Sequence, residues 1–300
     1  MTYQPTAMPQ RGTISTGAFQ LPYVIEGTGP AAIVIGSNRY YQRAFSQNLR
    51  KHLRLVFMDH RGFAPSPGPV DTSEFELHKL IDDVEMLRLQ LGLGPVIVIG
   101  HSGHAYMALE YGKKYPEHTA HVVMIGIAPD LSSSSAALAE ANYQALADKD
   151  RLAAERENKL ALPDEELAKL PADQAFVRGY IRNAARVWYD PRFDCTPLWR
   201  DVTINMDMFG YVWGRVFAEI DVSNGLEQFD RPVFLALGRY DFIVAPPSSW
   251  DPLISRFKNL TMRIFERSGH TPQFEEAELF DEQLLNWIKE TSPVVGVGAV

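Results

Sequence analysis

Ser102, Asp241 and His270 each follow, within a few residues, a short apolar run that reads as a β-strand: residues 96–99, 233–237 and 261–265. A serine hydroxyl is a weak nucleophile until a neighbouring base removes its proton, and a neutral imidazole suits that task near pH 7. A carboxylate on the far side of the imidazole fixes its tautomer and stabilises the imidazolium. The three residue types therefore point to acyl transfer. The serine stands in Gly100-His101-Ser102-Gly103-His104, after the run 96–99 and before the helix-forming stretch 105–115. Strand, hinge, serine, helix is the layout of a nucleophile elbow, whose strained turn needs small flanking residues. Such a turn aims the next backbone N–H, that of Gly103, at a forming oxyanion beside a positive helix N-terminus.

These groups need a scaffold that brings strand ends together. Residues 12–26 read as a hairpin interrupted at Gly17 and closed by Gly27-Thr28-Gly29. Residues 31–35, 53–58, 96–99 and 121–127 read as buried strands, and 42–52, 75–91 and 105–115 as the helices between them. The helix at 75–91 rests on Leu77, Leu80, Ile81, Val84, Leu87 and Leu91 at helical spacing. Alternating strands and helices imply a mostly parallel sheet flanked by helices, with functional groups at the carboxyl ends of its strands. Past those ends lie Gly36-Ser37-Asn38, Asp59-His60-Arg61-Gly62, Ser102, Gly238-Arg239-Tyr240-Asp241 and Ser268-Gly269-His270.

From Pro129 the pattern changes to Ala/Glu/Leu-rich and then aromatic-rich helix, and the sheet pattern resumes near 233 with a turn of helix at 252–257 and a last helix at 277–289. The expected organisation is a first core part at 1–130, a helical insertion at 131–229, and a second core part with a tail at 230–300. The glycine-rich tail, SPVVGVGAV, has no evident strand partner in the sequence. With 46% apolar and 22% charged residues the composition is that of a globular protein. A net charge of −8, with no Lys/Arg-rich run, argues against nucleic acid or an anionic membrane as partner. No apolar segment reaches the roughly 18 residues of a membrane span, and the amino-terminal MTYQPTAMPQRG lacks the pattern of a secretory signal. The single cysteine, Cys195, excludes an internal disulfide, fits a reducing cytoplasm, and reads as a buried small hydrophobe.

The segments GHSGH, DHRGFAPS, GRYD and SGHTPQFEE together resemble the α/β-hydrolase superfamily of serine hydrolases, over residues ~12–130 and ~230–290. The resemblance implies an α/β-hydrolase fold with a helical cap at the insertion, and the roles of nucleophile for Ser102, acid for Asp241 and base for His270, with the N–H of Gly103 as one oxyanion donor and that of Ser37 or Asn38 as the other. GRYD and SGHTPQFEE are also similar to proline iminopeptidase-like members, although the cap acids that would hold a substrate amine have no evident counterparts. His104 replaces the usual small residue at the end of the elbow, and Gly36-Ser37 replaces the family's His-Gly. The implied activity is hydrolysis of a small, partly apolar ester, lactone or amide through an acyl-enzyme on Ser102, without a cofactor. Proline iminopeptidase activity is the alternative within the fold, non-hydrolytic chemistry on the same triad is a further one, and a non-catalytic ligand-binding protein is the alternative of another class.

The remaining candidates carry competing readings. Asp130 is a rival acid, or a cap for the first inserted helix. His101 and His104 flank the serine and, with Tyr40 and Trp213, are candidates to line a substrate pocket. The aromatics Trp188, Tyr189, Phe193, Trp199, Phe209, Tyr211, Trp213 and Phe217 either wall that pocket or pack the insertion's core. His60 is expected to order its loop, and Arg61 to brace loops by ion pairs. The histidines show no H-x-x-x-H or H-E-x-x-H spacing and there is no phosphate-binding glycine loop, so no metal or nucleotide site is expected. The expected partner is a small-molecule substrate, with a homodimer left open.

Overall fold

The computed structural model describes residues 8–292; the tail at 293–300 lies outside the described residues. Its strands are β1 (Gln10–Thr16), β2 (Phe19–Glu26), β3 (Ala31–Gly36), β4 (Arg54–Asp59), β5 (Val96–His101), β6 (Thr119–Ile125), β7 (Val233–Gly238) and β8 (Leu260–Phe265). They form one sheet in the order β1-β2-β4-β3-β5-β6-β7-β8. The β1–β2 hairpin turns at Gly17, whose φ of +55° suits glycine, and β1–β2 and β2–β4 are antiparallel. All later pairings are parallel.

The helices are α1 (Asn38–Ala44), α2 (Leu77–Gln90), α3 (His104–Lys114), α4 (Ser133–Leu146), α5 (Lys149–Ala161), α6 (Asp164–Leu167), α7 (Ala172–Arg182), α8 (Ala184–Val187), α9 (Thr196–Trp199), α10 (Met206–Tyr211), α11 (Asp251–Ile254), α12 (Pro272–Glu275) and α13 (Ala277–Thr291). Helices α4–α10 follow β6 and precede β7.

The central strands are apolar on both faces because both faces are covered. Ile33, Ile35, Val98, Val122, Met124 and Leu235 pack with Leu80, Val84 and Leu87 of α2 and Ala105, Met107 and Leu109 of α3. The alternate residues Val34, Ile97, Ile99, Val123, Phe234 and Ala236 pack with Tyr41 and Ala44 of α1 and Phe280, Leu284 and Trp287 of α13. A period of two along each strand thus divides one sequence between two cores.

Two boundaries differ from the sequence expectation. Helix α1 begins at Asn38, capped by Ser37 Oγ, and ends at Ala44; residues 49–51 form a separate short turn. Phe45 takes an extended conformation there, and the Arg50 guanidinium donates to the carbonyls of Gln42, Phe45 and Ser46, which a longer helix would have used internally. Strand β6 runs Thr119–Ile125 rather than to residue 127, because Gly126 turns the chain at φ +57°.

The loop after β4 is fastened by Arg61, which is almost fully buried. Its Nε and Nη2 donate to the two oxygens of Asp83 at 2.6 and 2.8 Å, its Nη1 to Glu74, and its Nη2 also to Thr16 Oγ1. All five guanidinium N–H groups therefore have acceptors. Removing one partner of such a pair leaves an uncompensated buried charge. Asp83→Ala is expected to destabilise the fold by about 3–5 kcal/mol, measured by urea unfolding.

His121 shows a different constraint. It lies in β6 with Nε2 against Thr291 Oγ1 at 2.9 Å, and burial pulls its pKa down to about 4. The folded protein keeps this ring neutral where the unfolded chain protonates it, so this residue's effect is a loss of stability as pH falls from about 6.5 toward 4. His121→Gln should flatten the slope of unfolding free energy against pH in that window by up to one proton, read from urea midpoints across the range.

Candidate active site

The turn from β5 into α3 carries Ser102 at φ +57°, a left-handed conformation that a non-glycine residue adopts only under constraint. The constraint is visible on both sides of the residue. The Ser102 N–H donates to the Ile125 carbonyl at 2.8 Å, and the Ser102 carbonyl accepts from Ala105 N at 2.8 Å. A Cβ at Gly100 would collide with the His104 carbonyl, and one at Gly103 with the Phe217 and Trp213 rings. Glycine at these two positions follows from the close backbone crossing and from aromatic packing. The last position of the elbow, by contrast, accommodates the buried His104, whose side chain turns back so that Nδ1 donates to the His101 carbonyl at 3.1 Å.

Asp241 and His270 come from the loops after β7 and β8, and His270 Nδ1 meets Asp241 Oδ2 at 2.7 Å with both side chains buried. Their loops touch: a Cβ at Gly238 would overlap the carbonyls of Ser268 and Gly269, and Tyr240 N donates to the Ser268 carbonyl at 2.9 Å. The carboxylate acceptor at Nδ1 places the ring's N–H there and leaves Nε2 as the basic nitrogen. The His270 N–H in turn donates to the Val187 carbonyl at 2.6 Å, which ties the loop to α8. Asp130, the rival acid, is occupied elsewhere: its Oδ1 accepts from Ser132 N and Ser135 Oγ at the start of α4.

Glu275 holds the histidine loop from behind. Its Oε2 accepts from Gly269 N at 2.9 Å and Thr271 N at 3.2 Å, the residues on either side of His270. Its Oε1 accepts from Tyr189 N at 2.7 Å. Burial pushes this carboxyl up to about 7 despite the three donors. The sequence expectation did not include Glu275; its position in SGHTPQFEE, five residues after His270, was the available signal.

Ser102, Gly103 and His270 open onto one cavity of about 260 Å³. Ser37, Tyr40, Tyr41 and Phe63 line it from the sheet side, with His101 and His104 beside the serine. The inserted helices contribute Phe176, Tyr180, Trp199, Phe209 and Trp213, and Ile127, Leu131, Ile243 and Val244 complete the wall. The aromatics named from sequence thus divide: Trp199, Phe209 and Trp213 face the cavity, whereas Trp188 and Phe217 are fully buried in the two cores. Tyr41, Phe63, Phe176 and Tyr180 are absent from the sequence expectation, because only the fold brings α1, the loop after β4 and α7 together. Asn38, expected as a possible oxyanion donor, is a correction. Its N–H donates to Asp59 Oδ1 at 2.5 Å and its Nδ2 to Asp59 Oδ2 at 2.8 Å, and it stands outside the cavity, so of the two candidates Ser37 alone reaches the wall.

A mostly parallel sheet with antiparallel strands at one edge, a strained serine at the β5–α3 turn, and an Asp–His pair after the last two strands define the α/β-hydrolase fold. A family model described as the alpha/beta hydrolase fold matches residues 27–277, and the chain belongs to that superfamily. It is 36% identical over 283 residues to the AB hydrolase superfamily protein YclE of Bacillus subtilis (strain 168), a match that covers 94% of this chain and 100% of that protein. It is 21% identical to the proline iminopeptidase PfmaB of Pestalotiopsis fici, over 90% of this chain and 96% of that one. Among solved structures, a proline iminopeptidase-related protein from Thermus thermophilus superposes with a TM-score of 0.69 at 21% identity, covering 95% of this chain and 99% of that one. No helix among the described residues is long and apolar enough to cross a membrane.

Truncating Glu275 would orphan three backbone N–H groups at once. Glu275→Ala is expected to cost about 2–4 kcal/mol by urea unfolding, and Glu275→Gln, which keeps one acceptor oxygen, distinctly less.

Proposed function

We propose that the protein is a serine hydrolase of neutral, largely apolar carboxylic esters, acting through an acyl-enzyme on Ser102. The observation that supports this most directly concerns His270: with Nδ1 bound to Asp241, Nε2 is left as the basic nitrogen, and His270 lines the same cavity as the strained Ser102. In this reading Nε2 takes the Ser102 proton as Oγ attacks the substrate carbonyl carbon. The carbonyl oxygen becomes an oxyanion held by the N–H groups of Gly103 and Ser37. The imidazolium, stabilised by Asp241, returns the proton to the leaving oxygen as the carbon–oxygen bond breaks. Water then attacks the acyl-enzyme with His270 again as base, and the acid leaves as Ser102 recovers its proton.

The wall of the cavity separates this reading from proline iminopeptidase activity, the name carried by several of the relatives. An aminopeptidase of that kind binds a substrate amine that is a cation at neutral pH, and a buried cation needs a carboxylate partner. Among the described residues no aspartate, glutamate, lysine or arginine lines the cavity, and its two histidines beside the serine, His101 and His104, are held neutral because burial pulls both well below the usual range. A neutral acyl group fits such a wall; an ammonium group does not.

Intact-mass analysis after treatment with a fluorophosphonate is expected to show one adduct on the parent protein and none on Ser102→Ala or His270→Ala. Absence of an adduct on folded parent protein would remove the acyl-enzyme mechanism. The same preparation should hydrolyse p-nitrophenyl butyrate with kcat/KM at least about 100-fold above its value for proline p-nitroanilide, and Asp241→Asn should lower the ester rate by about 10³-fold or more.

A further inference from the structure

Asp59, the last residue of β4, is a buried carboxylate that the mechanism leaves unused. Burial pushes its carboxyl up to about 7, against the opposing pull of the Asn38 donors and the charge of Arg39. Both of its hydrogen bonds among the described residues come from Asn38. Oδ1 accepts from the Asn38 backbone N–H at 2.5 Å, and Oδ2 accepts from Asn38 Nδ2 at 2.8 Å. Neutral N–H groups rather than a bonded cation answer this charge, an arrangement that is costly to the fold. Asp59 and Asn38 border a surface hollow that is separate from the catalytic cavity, so neither is placed to touch a substrate on Ser102.

What the carboxylate holds is the peptide segment beside Ser37. In the parallel register of β3 and β4, Gly36 pairs with Asp59, and His60 N donates to the Gly36 carbonyl at 2.9 Å. Ser37 therefore stands between two residues that are both fastened to β4, Gly36 through its carbonyl and Asn38 through its N–H. The Ser37 carbonyl accepts from Tyr41 N at 3.0 Å, and its Oγ accepts from Tyr40 N at 3.3 Å. The one backbone donor left over is the Ser37 N–H, which has no acceptor among the described residues; the same is true of the Gly103 N–H. Both residues line the cavity.

Resting on the serine-hydrolase reading above, we propose that Asp59 is a positioning residue for the oxyanion pair. By holding Asn38 from outside the cavity it fixes the peptide of Ser37, so that the Ser37 N–H meets the oxyanion without reorganisation. This assigns a task to a buried carboxylate that takes no part in proton transfer.

The test is steady-state hydrolysis of p-nitrophenyl butyrate by the parent, Asp59→Ala, Asp59→Asn and Asn38→Ala, with urea unfolding to establish that each is folded. Asp59→Ala releases both Asn38 donors. It is expected to lower kcat about 10- to 100-fold with KM within about twofold, because the weakened interaction is made only in the transition state. Acylation and deacylation both pass through the oxyanion, so kcat reads the effect whichever step limits it. A general loosening of α1 would instead raise KM, since Tyr40 and Tyr41 of that helix line the cavity. Asp59→Asn keeps an oxygen for the Asn38 N–H, and its new amide can donate to the Asn38 side-chain oxygen once that amide turns over, so it should recover most of the loss. An unchanged kcat in Asp59→Ala, a KM that rises as kcat falls, or an Asp59→Asn as slow as Asp59→Ala would overturn the proposal. If Asp59→Ala does not fold, Asn38→Ala decides, since it gives up the side-chain bond alone: a lowered kcat at unchanged KM supports the positioning role, and the parent's kcat refutes it. A parent that hydrolyses no ester overturns the hydrolase reading and this proposal with it, whereas an active parent with equally active variants refutes the positioning role alone.

Discussion

The passage of the chain from β5 into α3 is the constraint on which the site depends. It asks one non-glycine residue, Ser102, to hold φ at +57° while the strand and the helix cross closely enough that Gly100 touches the His104 carbonyl. Such a conformation persists only where its surroundings over-determine it. Here a parallel neighbour, β6, accepts the Ser102 N–H through Ile125, and α3 closes over the Ser102 carbonyl. The sheet therefore supports the strain, and the strain presents the hydroxyl.

The same close approach recurs where the other two groups are set. Gly238 lets the loops after β7 and β8 run against each other, with the Asp241 carboxylate on the His270 ring, and Gly269 lets the histidine loop close on the Val187 carbonyl. Glu275 then fixes both backbone neighbours of His270 from the side away from the cavity. The helices between β6 and β7 are bound into this arrangement: Val187 accepts the His270 N–H and Tyr189 donates to Glu275. The helices between β6 and β7 and the loop that carries His270 are thus joined in one hydrogen-bonded unit.

Electrostatically the cavity is simple because, among the described residues, no aspartate, glutamate, lysine or arginine lines it. His101, His104 and Tyr41 hold their protons by mutual hydrogen bonds and remain neutral, and the buried Arg61 after β4 is spent on Asp83, Glu74 and Thr16. What remains exposed to a ligand is aromatic surface and a few oriented dipoles. Such a setting strengthens the interaction of N–H groups with a developing oxyanion.

Much of this was legible in the sequence for physical reasons. Buried parallel strands must be apolar on both faces, so β3, β5, β6 and β7 announce themselves as apolar β-branched runs. Groups at strand ends follow such runs directly, which is why Ser102, Asp241 and His270 could be singled out as candidates before any fold was known. Helix α1 was misjudged because its end is set by Arg50 reaching back to carbonyls of another turn, a contact that periodicity does not encode. Asn38 was misassigned because its partner, Asp59, is next to it only across paired strands. The wall of the cavity depends on segments far apart in the chain. Local composition determines strands, turns and the residue types available for chemistry. Which of those residues share a cavity, and which proton each ring keeps, is decided only when the sheet closes and every buried donor must find its acceptor.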